Sequence, residues 1–303
     1  MLNGLLLVNK SRGFTSHDVV AKLRGILRQR KIGHAGTLDP MAEGLLVVLL
    51  GSATRASEYA AASYKEYQAE FKLGVITDTQ DTSGKILETH PVDCAEDEVR
   101  AAIASFEGGY EQMPPMYSAI QKNGMRLYDL AREGREIERD ARFIDLTHLA
   151  LTGRGPDGAY QMTVACSKGT YIRTLCHDIG QKLGCGAAMS ALTRTKIGQF
   201  DLKSAHTLEE IAALQENDAL APFLLPVELV FSEYPAVTLN EEGRTRALNG
   251  APLIQKHLTG GSLPPEEALC RVYDHQGEFL MLGRGGRLDI GLPAIFCHKI
   301  FAI

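Results

Sequence analysis

The sequence predicts an α+β protein in two parts, and three observations lead there. Period-two alternation at residues 66–73 and 160–166, with the unbroken apolar run 45–50, reads as strands. Apolar residues at helical spacing, first Val19, Val20, Leu23, Ile26 and Leu27, then Ile172, Leu175, Cys176, Ile179 and Leu183, read as amphipathic helices. Beyond Pro226 and Pro235 only short strand signals remain, punctuated by Gly, Pro and Asp, which is the pattern of a small β-barrel. The expected units are therefore residues 1–230 and 235–303.

In chain order, residues 5–8 form a short buried strand, and Thr15 with Asp18 resembles a capping box opening the first helix. Lys22, Arg24 and Arg28 lie off its apolar stripe, and Arg30 and Lys31 follow it, so a basic helix leads into Gly33-His34-Ala35-Gly36-Thr37-Leu38-Asp39-Pro40. Two glycines there let the backbone turn, and Pro40 biases Asp39 away from helical dihedrals. The strand 45–50 follows, so a carboxylate is held on a stiff loop at the edge of a core. An Asp-Pro pair by itself marks an ordinary turn. A short alanine-rich helix (53–62) precedes the strand 66–73, whose alternation turns Tyr67, Ala69, Phe71 and Leu73 to one face. Tyr67 thus points into the core or into a site cut in it.

Residues 77–84 form a dense polar loop containing Asp81. Val99, Ile103 and Phe106 mark an acidic helix facing away from any ligand. Residues 113–142 interleave Lys122, Arg126, Arg132, Arg135, Arg139 and Arg142 with Tyr117 and Tyr128. Five acidic residues nearly cancel that charge; the segment reads as a surface insertion or as a basic-aromatic flap closing on nucleic acid. After the strand 160–166 comes Ser167-Lys168-Gly169-Thr170-Tyr171-Ile172-Arg173. Arg173 falls in the first turn of a helix, where the macrodipole disfavours a cation, so it wants a carboxylate or phosphate partner. Leu192 reads as buried, and Thr207 with Glu210 caps a last acidic helix.

The chain has 303 residues, 45% hydrophobic and 23% charged, a globular balance. No apolar run approaches the ~20 residues of a membrane span, and the amino-terminal patch reads as a strand rather than a signal peptide. Six cysteines show no Cys-x-x-Cys pair, which suits reduced thiols in the cytoplasm. The net charge of −5 argues against nucleic acid, but its distribution does not. Residues 1–60 and 165–196 are each +4, whereas 93–111 and 201–234 are −5 and −6. Two basic segments flanking Asp39 and Arg173 fit a polyanionic partner as well as they fit solvated helix faces.

The ordered set of motifs resembles the TruB family of tRNA pseudouridine-55 synthases. The markers are Val8-Asn9-Lys10 with Gly13 and Ser16, the Gly33–Pro40 string, Tyr67, Thr77-Asp78-Thr79 with Asp81 and Gly84, Pro114-Pro115-Met116-Tyr117-Ser118-Ala119, Cys166 through Arg173, and Leu192. Ser11 replaces a usual proline and Gln121 a usual lysine. The resemblance implies the pseudouridine synthase fold, a mixed, largely antiparallel sheet flanked by helices, with a PUA-like RNA-binding domain at residues 235–303. It implies Asp39 as the catalytic carboxylate, as nucleophile or as base at the ribose. Arg173 would pair with Asp39, Asp81 would hold Arg173 from behind, and Tyr67 would stack on the target base. Leu192 would pack the opposite face of the base, and His34 would fill the gap left by the flipped nucleotide. Lys10, Lys168 and Tyr117 would contact the substrate, the T-loop of tRNA. No cofactor, metal, membrane or protein partner is implied, and the self-sufficient pattern suggests a monomer. A guide-dependent synthase of the dyskerin kind shares the Asp39 motif but lacks the flap. A tRNA-binding chaperone without catalysis is the reading from another class, and a glycoside hydrolase, with Glu43 as second carboxylate, ranks last.

Overall fold

The computed structural model describes residues 1–118, 120–122 and 124–302. Ala119 and the side chains of Lys122 and Arg126, all within the expected flap, lie outside the described residues.

Eight strands form one mixed sheet: β1 (Gly4–Lys10), β2 (Ile32–Ala35), β3 (Glu43–Leu50), β4 (Lys65–Leu73), β5 (Leu146–Arg154), β6 (Tyr160–Cys166), β7 (Ala187–Ile197) and β8 (Phe200–Asp201). The order is β1-β3-β7-β4-β6-β5, with β2 beside β3 and β8 beside β7. All pairs are antiparallel except β3 with β7. At β1 and β3 both faces are covered, which explains their continuous apolar runs, whereas β4 and β6 bury alternate residues and so show period-two alternation. On one face Leu6, Val8, Leu46 and Val48 pack against α1 (Ser16–Ile26); their neighbours Leu5, Leu7, Leu45 and Val47 face another cluster. Further along the sheet, Phe71, Met162 and Val164 pack against α2 (Glu96–Ala104) and α3 (Ile172–Lys182). The expected capping boxes are present, Thr15 with Asp18 on α1 and Thr207 with Glu210 on α4 (Leu208–Glu216).

One detail of topology positions everything below. One edge of β3 pairs with β2 through residues 47–50 and then with β7 through residues 43 and 44. The chain between β2 and β3, residues 36–42, leaves the sheet where that partner changes.

In the C-terminal part the expected barrel is not seen as a closed sheet. Its strands, β9 (Ala236–Leu239), β10 (Leu258–Gly260), β11 (Leu269–Tyr273), β12 (Phe279–Arg287) and β13 (Pro293–Ile300), form an open five-stranded sheet in the order β10-β9-β11-β12-β13. Short strands in series do not by themselves dictate closure, and no closed sheet occurs among the described residues. A helix that strand reading passed over, α5 (Glu241–Leu248), is capped by Asn240; half of its residues are charged, and it buries only Gly243 and Ala247. This sheet shares a core with the main one: Phe231, Leu282 and Phe301 join Leu5, Leu45 and Val47. Arg55 also donates to the Ile300 carbonyl, and Lys299 pairs with Glu58. No helix among the described residues is long and apolar enough to cross a membrane.

Candidate active site

The loop 36–42 is pinned from several sides. Leu38 is buried in the core, its amide donates to Ser16 Oγ at 2.9 Å, and the Gly13 amide donates to the Pro40 carbonyl at 2.7 Å. Gly13 and Ser16 are thereby explained as the struts of the loop. Between the anchors Leu38 and Pro40, the Asp39 side chain remains 39% exposed. It is fixed in place yet open to a ligand.

Arg173 is the second residue of α3, as the helical spacing predicts. The helix start is set by Gln112, which accepts from the Tyr171 amide at 2.8 Å and donates to the Tyr171 carbonyl at 3.1 Å. The Arg173 side chain is only 6% exposed, and its Nε lies 2.8 Å from Asp39 Oδ2. Its other nitrogens donate to the carbonyls of Thr79 (3.0 Å) and Tyr117 (2.8 Å). Asp81 Oδ2 stands 3.9 Å from Arg173 Nε, and its side chain is only 7% exposed. Two carboxylates thus offset a cation placed at a helix N-terminus.

Asp81 is itself held by its loop. Its Oδ1 accepts from Thr79 Oγ1 and from the Ser83 amide, each at 2.9 Å. Before it, Gln80 has φ of 62°, a left-handed conformation that costs a non-glycine residue free energy. The Gln80 carbonyl accepts from the Met189 amide at 3.0 Å, and its side-chain oxygen accepts from Thr174 Oγ1 at 2.7 Å, which hold that conformation against β7 and α3.

Tyr67 is buried, on β4, in one cluster with Leu38, Ala42 and Leu192. Burial pushes its hydroxyl above the ordinary range; the Arg194 guanidinium acts the other way, through charge and a hydrogen bond, and Asp39 adds to the rise. Leu192 sits on β7, diagonal to Tyr67 across the ladder in which Arg194 is the direct partner of Tyr67. Asp39, Arg173, Asp81, Tyr67 and Leu192 are therefore assembled from five separate stretches of chain.

The other expected residues lie around this group. His34, on β2, packs edge-on against His17 at 5.4 Å between ring centroids, and burial pushes its titration below the usual histidine range, with His17 and Arg194 adding to it. Lys168 is exposed in the turn between β6 and α3. Tyr117 is half-buried and contributes its carbonyl to Arg173. In the flap, Arg135 and Arg139 pair with Glu133 and Glu136, and Arg132 lies 5.4 Å from the Tyr128 ring centroid. Part of the flap's charge is therefore used internally. Lys10 is fully buried, its ammonium donating to the Phe14 carbonyl at 2.7 Å and the Ser11 carbonyl at 3.1 Å; it meets no open surface. Burial brings its titration down to about 8, with Asp39 and Glu43 acting against the fall.

Two cations were not singled out by the sequence. Arg194 is completely buried, and Lys65 nearly so, with its titration brought down to about 8 by burial and then by Arg194. The signal was there: on a strand Arg194 shares the face of Leu192, two residues earlier. Among the described residues no group of His, Cys, Asp and Glu side chains is placed to hold a metal ion.

Similarity to known proteins gives the family. Residues 24–172 match the model of the TruB family pseudouridylate synthase N-terminal domain, and residues 173–232 that of the tRNA pseudouridylate synthase B C-terminal domain. The chain is 41% identical over 285 residues to tRNA pseudouridine synthase B of Cupriavidus metallidurans, covering 93% of this chain and 90% of that one. It is 45% identical over 266 residues to the protein of that name from Staphylococcus haemolyticus, covering 85% and 87%. Among solved structures it resembles a chain of a Cbf5-Nop10-Gar1 complex, with TM-score 0.76 and 26% identity over 99% of this chain and 85% of that one. It also resembles a chain of an H/ACA RNP bound to a substrate RNA containing 2′-deoxyuridine, with TM-score 0.75, 25% identity and the same coverage. The chain belongs to the TruB family of pseudouridine synthases.

Proposed function

We propose that this protein isomerises uridine to pseudouridine at position 55 in the T-loop of tRNA, as a monomer and without a guide RNA. The observation that carries the reading is the Asp39–Arg173 pair at 2.8 Å, in which the carboxylate is open and the guanidinium enclosed. The reaction breaks the bond from uracil N1 to the ribose, turns the base, and joins C5 to the ribose. The C5 proton leaves and N1 gains one, so no redox change occurs. Asp39 acts at the ribose, as nucleophile or base, and Arg173 keeps it aimed. Asp81 balances the charge of Arg173. Tyr67 and Leu192 sandwich the base, and the Tyr67 hydroxyl handles the C5 proton. His34 fills the space the nucleotide leaves. Flipping costs a few kcal/mol, and aromatic stacking returns ~1–3 kcal/mol per base, so Tyr67 and His34 together are of the right size to offset it.

Lys168 and the basic α1 region take phosphates, the 113–142 flap closes over the T-loop, and the C-terminal unit (235–303) serves as a PUA-like second RNA surface toward the acceptor end. Lys10, enclosed as it is, contributes its field at Asp39 rather than a phosphate contact. The experiment is incubation with unmodified tRNA transcript alone, followed by carbodiimide modification and reverse transcription. A new stop at the T-loop uridine is expected. Stops that appear only when guide RNA and partner proteins are added would favour the guide-dependent reading, which the likeness to a Cbf5 complex keeps in view.

A further inference from the structure

Arg194 is a large buried cation that the scheme above does not use. It is fully enclosed, and no carboxylate among the described residues forms an ion pair with it. Its Nε donates to the Leu45 carbonyl at 2.8 Å, Nη2 to the Gly36 carbonyl at 3.0 Å, and Nη1 to the Thr37 carbonyl at 3.5 Å. Two of those carbonyls lie in the approach to Asp39. On β7, Arg194 stands directly opposite Tyr67 of β4 and directly beside Gly44 of β3.

Two glycines with positive φ lie beside it. Gly44 has φ of +98°, and a Cβ there would lie 2.4 Å from the Arg194 carbonyl oxygen. Gly36 has φ of +77°, and its Cβ would fall 3.5 Å from Arg194 Nη1. A buried guanidinium without an ion-pair partner is costly unless its donors are used. It has five N–H groups and no acceptor, so whatever it meets must accept. Three contacts are backbone carbonyls, and Tyr67, the direct cross-strand partner of Arg194, brings its phenol oxygen to the same face of the sheet.

We propose that Arg194 is a positioning residue for the reaction: its guanidinium ties the Tyr67 hydroxyl to the Gly36–Thr37 arm of the loop that carries Asp39. This rests on the reading of Tyr67 given under the proposed function. Because Arg194 can only donate, it engages the Tyr67 oxygen and leaves the phenolic hydrogen to point elsewhere, toward the base. The carboxylate and the phenol then meet one nucleotide in a fixed relation. The cation also opposes the effect of burial on Tyr67, which eases proton transfer through that oxygen.

A double-mutant cycle tests this. Single-turnover release of tritium from uridine C5 of tRNA is measured for wild type, Arg194→Lys, Tyr67→Phe and the double variant, with tRNA Kd by filter binding. Arg194→Lys is expected to slow release about 30-fold or more with Kd within about threefold, since misplacement rather than binding is at fault. In the Tyr67→Phe background the same change is expected to cost less than about threefold, because residues acting through one another are not additive. An equal cost in both backgrounds, or no cost in either, overturns the proposal while leaving the synthase reading intact. A wild-type rate for Tyr67→Phe overturns the reading of Tyr67 itself, and this proposal with it. If Arg194→Lys does not fold, Tyr67→Phe still decides. Loss of the tether leaves a buried donor unpaired, so its Tm should fall by about 3 °C or more. A Tm at or above wild type overturns the tether.

Discussion

Arg173 Nε lies 2.8 Å from Asp39 Oδ2 and 3.9 Å from Asp81 Oδ2, so one guanidinium is flanked by an open carboxylate and an enclosed one. Its remaining donors go to the carbonyls of Thr79 and Tyr117. Arg173→Lys keeps the charge but cannot meet three acceptors in these directions. The single-turnover rate is expected to fall about 100-fold or more, with tRNA Kd within about threefold. A loss confined to Kd would contradict the positioning role.

Asp81 acts at one remove. Asn in its place still accepts from Thr79 and the Ser83 amide, so the loop should stay folded, but the charge behind Arg173 is lost. Asp81→Asn is expected to slow the reaction about tenfold, the worth of one modest electrostatic interaction, and less than Arg173→Lys does. A rate equal to wild type would show that Asp81 serves the loop alone.

Lys10 offers a pH test with a definite sign. Its folded-state titration lies near 8, against 10.5 for the ordinary lysine. Between those values the unfolded chain binds more protons than the folded one, so this residue's contribution to stability rises with pH across that window. Below about pH 8 both states are protonated and its cost is constant. Melting curves of wild type and Lys10→Met from pH 7 to 10 should show Tm of wild type gaining on the variant as pH rises. A gap that stays flat or moves the other way would contradict the burial of a labile ammonium.

Lys168 is exposed at the turn before α3, where a phosphate would meet it without rearrangement. Lys168→Ala should weaken tRNA binding and lower the slope of log K against log salt by about 1. An unchanged slope would remove it from the RNA surface.

How far the sequence revealed this site depends on distance along the chain. Asp39 before Pro40 and Arg173 in a first helical turn are local facts, and the second carried its own demand for an acidic partner. The struts Gly13 and Ser16 could be recognised only as parts of a family pattern; their bonds to Pro40 and Leu38 explain that pattern. Arg194 and Lys10 were harder, because a cation near a strand end reads as exposed by default. Their burial comes from β7 lying between β3 and β4, and from β1 being covered on both faces, which are long-range facts. The C-terminal strands were legible from punctuation, but the openness of their sheet and the half-charged helix α5 were not.

The most direct test of the account concerns Asp39. Asparagine is isosteric and keeps an oxygen beside Arg173 Nε, so Asp39→Asn should fold and bind tRNA within about threefold of wild type, while lacking the charge the chemistry needs. Unmodified tRNA transcript carrying tritium at uridine C5 would be incubated with each protein, without guide RNA, metal or cofactor. The account predicts release by wild type, mapping to the T-loop uridine, and none above background by Asp39→Asn. Release by the variant at a rate near that of wild type would contradict it.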